Sequence, residues 1–195
     1  MWVAGVDEAG RGSIAGPVVA ACVVLPPRHM LTGIADSKLL TPAQRETLAL
    51  AIKRHALAWA IGIASPREIE RYNILQASLL AMRRAILALP LTPQQVLVDG
   101  QHTIPCLPLP QQAVVDGDAR EESIAAASIL AKVARDRIMC ELDRLYPRYG
   151  FAQHKGYPTV LHLERLRLYG ACPAHRRTYA PVAQPRLFAP TAEVE

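Results

Sequence analysis

Short, almost wholly apolar runs alternate along this chain with longer stretches in which apolar residues recur at helical spacing. The runs 3–6, 17–25, 58–64 and 95–98 predict buried β-strands, and 113–115 predicts a strand at the edge of a sheet. Apolar positions three or four residues apart predict helices over 42–55, 66–89, 123–145 and 160–169. The order of these elements predicts an α/β domain with helices packed on a sheet.

The length and composition suit one domain with a substantial core, since 51% of the 195 residues are hydrophobic. No apolar run reaches the roughly 18 residues that a membrane span needs, and the N-terminal residues do not resemble a secretory signal. We therefore expect a cytoplasmic protein that does not contact a membrane. The four cysteines form no C-x-x-C pair and are expected to be reduced thiols.

The charge of the protein is concentrated in its C-terminal third. The net charge is +5, and the segment 120–177 alone contains eleven Lys and Arg residues against six Asp and Glu. A basic surface of this kind suits a polyanionic partner such as a nucleic-acid duplex. The segment 183–195 carries no periodic pattern and is predicted to be a flexible tail.

Acidic residues follow several of the predicted strands. Asp7 and Glu8 follow the first apolar run, Asp99 ends another, and Asp118 comes shortly after the predicted edge strand. Each Asp beside a glycine could be a simple turn residue, but their recurrence at strand ends favours one shared site. Four neighbouring carboxylates would repel each other, and hard cations such as Mg²⁺ or Mn²⁺ relieve that repulsion. Two such ions about 3.5–4 Å apart support hydrolysis of a phosphodiester.

Two loops could contact a nucleic acid. Gly10, Arg11 and Gly12 allow close approach of a substrate and provide one guanidinium, although the glycines could only permit a tight turn. A dinucleotide-binding loop would need a helix next, whereas a valine-rich run follows. In the segment 154–158, Tyr157 could stack on a sugar or base, or could equally close the core beneath a loop.

Other polar segments leave two interpretations open. Ser37 and Lys38 could bind a phosphate or be merely solvated. The same choice applies to Arg176 and Arg177, which contact a nucleic-acid backbone or form a solvated charge cluster. On the predicted helix 123–145, one polar face carries Ser128, Lys132 and Arg135.

Taken together, these segments closely resemble ribonuclease HII, the bacterial type 2 ribonuclease H. The resemblance covers 3–182 and rests on the segments 5–12, 36–38, 73–75, 98–100, 125–136, 149–151, 154–158 and 175–177. It implies a ribonuclease H-like α/β fold, a mixed β-sheet flanked by helices. It further implies one catalytic domain over 1–182, in which the basic and helical part 120–182 holds the substrate.

The resemblance also implies an activity and its residues. The enzyme would be a monomer that cuts the RNA strand of RNA–DNA hybrids and nicks duplex DNA on the 5′ side of an embedded ribonucleotide, leaving 5′-phosphate and 3′-hydroxyl ends. Catalysis would use a two-ion site of Mn²⁺ or Mg²⁺. The implied ligands are Asp7, Glu8, Asp99 and Asp118. The candidate substrate-binding residues are Gly10, Arg11, Gly12, Ser37, Lys38, Asn73, Ser128, Lys132, His154, Lys155, Tyr157, Arg176 and Arg177.

The chain departs from the family pattern at Asp116, where the family usually carries lysine two positions before its last catalytic acid. An additional negative charge there would change the metal affinity or call for a cation from elsewhere. Two alternative functions stay open. One is a structure-specific DNA nuclease with the same acids, and the other is a nucleic-acid-binding module whose acids hold a structural ion. Turnover on a duplex with a single ribonucleotide, compared with turnover on its all-DNA twin, distinguishes all three.

Overall fold

The computed structural model describes residues 2–29, 31–34 and 40–184. Ser37 and Lys38 lie outside the described residues, as does the predicted tail beyond residue 184. Within the described ranges, no helix has the length and apolar character needed to cross a membrane. The four cysteines are free thiols, of which Cys22 and Cys172 are buried.

A five-stranded mixed sheet forms the centre of the molecule. Its strands are β1 (Val3–Ala9), β2 (Val18–Val24), β3 (Ala58–Ala64), β4 (Gln95–Asp99) and β5 (Gln111–Val114), in the order β3-β2-β1-β4-β5. β2 runs antiparallel to β1 and β3, whereas β4 runs parallel to β1 and β5. The predicted α/β class is confirmed, and a strand occurs at each of the five predicted places, with bounds that differ by up to three residues. The central position of β1 places its C-terminal end beside that of β4.

Helices α1 (Pro42–His55) and α2 (Pro66–Leu87) connect strands of the sheet, and the other helices follow the last strand. These other helices are α3 (Gly117–Arg120), α4 (Glu122–Leu145), α5 (Phe151–His154), α6 (Val160–Tyr169) and α7 (Ala180–Ala183). The four long helices α1, α2, α4 and α6 occur where the periodicity predicts them, and capping boxes at Thr41 and Ser65 begin the first two. The single-turn helices α3, α5 and α7 are too short to show a period in the sequence.

The core lies on both faces of the sheet. On one face, Val6 and Val98 of the sheet pack in a cluster with α2. On the other, Val23 packs in a cluster with α1 and α4. Gly5 allows α4 to start directly against β1, because a Cβ at this position would lie 2.2 Å from the carbonyl carbon of Ser123. This close packing places the first turns of α4 against the strand that carries Asp7.

Candidate active site

The first two acids lie within a strand and not beyond its end. The sequence predicts that β1 stops before Asp7, but β2 continues to pair with it as far as the Ala9–Val19 pair. β1 therefore extends through Asp7 and Glu8, and the predicted boundary is wrong. The reason is long-range: the apolar pattern ends at Val6, whereas the backbone hydrogen bonds of the antiparallel partner continue.

Asp7 and Asp99 lie at the same level on neighbouring parallel strands. The register pairs Val6 with Val98, and each acid is the next residue along its strand. Asp7 is only 6% exposed. Its pKa is raised well above the usual value, first by burial and then by the charges of Glu8 and Asp99, while a hydrogen bond with Ser128 of α4 lowers it. The structure therefore brings Asp7, Glu8 and Asp99 close together, and their role as metal ligands stays a prediction.

Glu8 forms the second part of the acidic cluster and pairs with Arg11. The Arg11 Nη1 lies 3.3 Å from the Glu8 Oε1, with the arginine side chain half-exposed and the glutamate side chain 7% exposed. Burial raises the pKa of Glu8, and the charge of Arg11 opposes that shift. Among the described residues, no group hydrogen bonds to the buried Glu8 Oε2. One buried oxygen of this carboxylate is thus without a protein donor in the part of the chain that the structure describes.

Asp118 is on the short helix α3 and not on a strand end. The preceding residue, Gly117, donates its backbone N–H to the Asp99 Oδ1 over 2.9 Å, which joins α3 to the end of β4. Asp116 precedes α3 with φ 52° and ψ 41°, a left-handed conformation that aspartate tolerates better than most residues. This backbone requirement gives a physical reason for an aspartate at position 116. The role of Asp118 as a metal ligand stays a prediction.

The donor set fits a hard divalent cation. After burial, the charges of Glu8 and Asp99 raise the pKa of Asp7, and the charge of Asp99 also raises that of Glu8, so a bound cation would stabilise the charged forms of Asp7 and Glu8. Oxygen donors of this kind suit Mg²⁺ or Mn²⁺, and no thiol or imidazole contributes to the cluster in the described part of the chain. Among the described residues, no three such side chains already stand as a complete metal-binding group. The fit is therefore one of donor chemistry and charge.

The glycine-rich loop 10–12 lies beside Tyr157, as a substrate-binding surface requires. A Cβ on Gly12 would be 3.9 Å from the Tyr157 Cε1, so the aromatic ring borders the loop. Tyr157 is 39% exposed, and the Lys132 Nζ lies 5.9 Å from its ring centroid. Lys132 also forms an ion pair of 2.7 Å with Asp136. The structure thus brings together several candidates that are over a hundred residues apart in sequence.

Two candidate substrate residues are buried beneath the surface. Arg176 is 0% exposed and His154 is 7% exposed. The interpretation of Arg176 as a solvated charge is wrong, and its burial also argues against direct contact with a phosphate. The ring of His154 bonds to the Tyr149 carbonyl at 2.8 Å and to the Gly156 amide at 3.1 Å, which leaves neither nitrogen for a substrate. Both side chains support loops instead.

Asn73 interrupts α2. Its φ of 68° and ψ of 170° are non-helical, and its Oδ1 accepts a hydrogen bond from the Gln76 backbone N–H at 3.0 Å. Asn73 is therefore the N-cap of the second part of α2. Its predicted contact with the substrate stays a prediction. Arg177 is exposed, and its backbone N–H donates to the Glu70 Oε1 at 2.7 Å.

Arg135 and Tyr179 hydrogen bond to the backbone of candidate substrate-binding residues, although the sequence analysis assigned neither of them a role in the site. The Arg135 Nη1 donates to the Lys155 carbonyl at 2.9 Å, and the Tyr179 hydroxyl donates to the Arg11 carbonyl at 3.2 Å. The sequence did place Arg135 on the same helix face as Ser128 and Lys132. No local pattern marks Tyr179, because its partner is 168 positions away.

A mixed sheet with a buried acidic cluster on its central parallel strands defines a nuclease of the ribonuclease H class. Solved structures agree with this class. Ribonuclease H2 from Pyrococcus horikoshii OT3 superposes with a TM-score of 0.79 and 31% sequence identity, covering 96% of this chain and 98% of that one. The RNase HII in a PCNA:RNase HII complex from Archaeoglobus fulgidus has a TM-score of 0.80 at 27% identity, covering 92% and 95%.

Sequence comparison identifies the family. A profile of ribonuclease HII matches residues 4–182. Ribonuclease HII of Nitrosospira multiformis is 59% identical over 183 residues, 94% of this chain and 92% of its own length. Ribonuclease HII of Chromobacterium violaceum is 54% identical over 180 residues, 92% and 91% of the two chains. The chain belongs to the ribonuclease HII family, and it is therefore an endoribonuclease of RNA–DNA hybrids.

Proposed function

We propose that this enzyme hydrolyses the RNA strand of hybrids and also nicks duplex DNA on the 5′ side of an embedded ribonucleotide, leaving 5′-phosphate and 3′-hydroxyl ends. The observation that carries the proposal is the position of the loop 10–12. It follows directly on the strand that holds Asp7 and Glu8, and Tyr157 borders it. A nucleotide sugar held between this loop and Tyr157 would bring its phosphate close to the acids.

The residues of the site would divide the reaction among them. Asp7, Glu8, Asp99 and Asp118 would hold a pair of Mg²⁺ or Mn²⁺ ions, which supply an activated water and positive charge at the departing oxygen when bound. A hydrogen bond from Ser128, which lowers the pKa of Asp7, would help to orient that carboxylate. Arg11, half-exposed beside Glu8, would bind the phosphate. The burial of Asp7 and Glu8 would exclude competing water and keep these carboxylates in place.

Recognition of RNA would depend on the 2′-hydroxyl, because that group alone separates a ribose from a deoxyribose at a given position. The backbone of Gly10, Arg11 and Gly12 would contact this hydroxyl, while the ring of Tyr157 would pack on the next sugar. The basic part 120–177 would hold the phosphates of the duplex. The single-domain and monomeric states predicted from the sequence belong to the same proposal.

The deciding experiment compares a duplex that carries one ribonucleotide with its all-DNA twin, each in Mn²⁺ and in Mg²⁺. We expect a single nick 5′ to the ribonucleotide in the first duplex and none in the second. Cleavage of both duplexes would indicate a DNA nuclease instead. Salt-dependent binding with no turnover in either metal would indicate a binding module.

Asp7→Asn tests the role of the acids. It should abolish the nick, a loss of at least about 10³-fold, while affinity for the duplex stays within about threefold, because phosphate contacts dominate that affinity. Asp143→Asn is the matched control, since Asp143 lies fifteen residues beyond Ser128 on α4, roughly 22 Å along the helix axis. Equal loss of cleavage in both variants would show that the substitution acts on the fold.

A further inference from the structure

Arg176 is a fully buried guanidinium that hydrogen bonds to the loop 10–12 and to the segment 16–17 that follows it. Its Nη2 donates to the Gly10 carbonyl at 2.6 Å, its Nη1 to the Arg11 carbonyl at 3.0 Å, and its Nε to the Gly16 carbonyl at 2.9 Å. Buried charges are usually paired with an opposite charge. Here, within the described residues, backbone carbonyls and the Tyr179 hydroxyl take that place.

These bonds fix the direction of the loop amides. In a trans peptide the C=O of one residue and the N–H of the next point in opposite directions, and the described chain contains no cis peptide. Since the carbonyls of Gly10 and Arg11 point inward to Arg176, the N–H groups of Arg11 and Gly12 point away from it. Both of these residues are exposed. Arg176, on the buried side of the loop, thus sets the direction of the outward-facing amides of Arg11 and Gly12.

Arg135 packs against the loop 10–12 and hydrogen bonds to the segment 15–17 that follows it. Its Nε donates to the Pro17 carbonyl and its Nη2 to the Ala15 carbonyl, both at 3.1 Å. A Cβ on Gly10 would lie 2.0 Å from the Arg135 Nε, so the loop packs directly on this side chain. Burial lowers the pKa of Arg135 to about 10, and the charge of Arg176 adds to the shift. Two buried cations so close to each other are unfavourable unless their hydrogen bonds are complete.

We propose that Arg176 is a specificity-determining positioning residue: it holds the carbonyls of Gly10 and Arg11 inward and thereby directs the amides of Arg11 and Gly12 at the sugar of the substrate nucleotide. The proposal rests on the function proposed above. Tyr179 assists, because its hydroxyl donates to the same Arg11 carbonyl. Arg176 does not contact the substrate; it sets how well the loop separates a ribose from a deoxyribose.

Two variants test this role, each with a separate effect on the loop. Arg176→Lys keeps the charge but has a single nitrogen, so it cannot hold both carbonyls in the geometry of the guanidinium. Tyr179→Phe removes one donor to the Arg11 carbonyl and leaves Arg176 in place. Tyr149→Phe is the matched control, since it removes a hydroxyl that donates at 2.8 Å to the Gly170 carbonyl, away from the loop.

The measured quantity is the preference for the duplex with one ribonucleotide over its all-DNA twin. For each variant, kcat and KM are measured on the duplex with one ribonucleotide, and affinities for that duplex and its all-DNA twin are measured with chelator present. We expect Arg176→Lys to lower kcat/KM about 10²-fold and Tyr179→Phe to lower it about 3- to 10-fold, through misdirected amides. The preference for the ribonucleotide duplex should fall in the same order, with affinity for the all-DNA duplex nearly constant. Tyr149→Phe should stay within about twofold of the wild type.

The outcomes separate this inference from the proposed function. A wild-type enzyme that shows no preference for the ribonucleotide duplex overturns the proposed function and this inference with it. A wild type that discriminates, beside a folded Arg176→Lys with unchanged preference, overturns the inference alone. Thermal melting establishes that each variant is folded. Where Arg176→Lys fails to fold, Tyr179→Phe decides: a preference equal to that of the Tyr149→Phe control overturns the positioning role, and a reduced preference supports it.

Discussion

A buried pair of histidines should make this fold sensitive to acid. The His162 Nδ1 lies 2.9 Å from the Tyr157 carbonyl, which can only accept, so we assign the proton of His162 to this nitrogen. The His162 Nε2 must then accept from the His175 Nε2 over 3.0 Å. The His175 Nδ1 in turn accepts from the Cys172 amide at 3.1 Å. Both rings are neutral, and an added proton would disrupt the chain.

The size of the effect follows from the pKa values. Burial, the main cause, lowers the pKa of His162 to about 3 and that of His175 to about 4, against 6.5 for an ordinary histidine. Their contribution is fully present above about pH 6.5 and is lost as the pH falls toward 4 and 3, because the unfolded chain binds protons first. Each histidine contributes a slope of about 1.4 kcal/mol per pH unit. Between pH 7 and 5 the pair should remove roughly 4 kcal/mol from the free energy of unfolding.

Urea denaturation at pH 7, 6 and 5 measures this loss. His162→Gln retains one donor and one acceptor but cannot be protonated, so the fall between pH 7 and 5 should be smaller by roughly 2 kcal/mol. His55→Gln, at an exposed histidine that ends α1, should leave the fall unchanged. The raised pKa values of Asp7 and Glu8 act in the opposite direction, but they are common to all three proteins.

The reasoning would be refuted by one clear result. If the wild type and His162→Gln lose the same stability between pH 7 and 5, the buried pair does not carry the acid sensitivity. A fall equally reduced by His55→Gln would also contradict it, because His55 is exposed and lies outside the buried pair.

Three further substitutions test other parts of the structure. Asp7→Asn, melted with chelator present, should be more stable than the wild type by about 1–2 kcal/mol, because it removes a buried charge beside Glu8 and Asp99. A melting temperature below that of the wild type would contradict repulsion between Asp7 and these two carboxylates. Asn73→Ala should destabilise by about 1–3 kcal/mol in urea, since it loses the cap to Gln76 and strains φ 68°, whereas Asn73→Gly should lose less. Gly62→Ala should destabilise by about 3 kcal/mol or more, because the added Cβ would lie 2.0 Å from the Ala81 carbonyl oxygen. The control Gly12→Ala, whose Cβ would lie 3.9 Å from the Tyr157 ring, should change stability by less than about 0.5 kcal/mol. Equal losses of stability in the two variants would contradict the packing around Gly62.

The sequence predicts which acids form the cluster, but it predicts their positions only in part. Local patterns identify strand ends and the acids near them, so Asp7, Glu8 and Asp99 are recognisable from the sequence. The parallel register of β1 and β4 places Asp7 and Asp99 at the same level, and it joins residues more than ninety positions apart. The extension of β1 past Asp7 follows from pairing with β2, and the short helix that carries Asp118 has no period to detect.

The arginines show most clearly what tertiary structure adds. From the sequence, Arg176 and Arg177 are equivalent neighbours, and exposure is the ordinary state of both. In the fold Arg176 is fully buried and Arg177 is exposed, because carbonyls 159 to 166 positions away surround the Arg176 guanidinium. Periodicity and residue type are enough to predict where the strands and long helices lie, the caps of α1 and α2, and the chemistry of the acids. Which polar groups are buried beneath the loop 10–12 and which stay exposed follows only from the folded chain, because hydrogen-bond partners so distant in sequence meet only when the chain has folded.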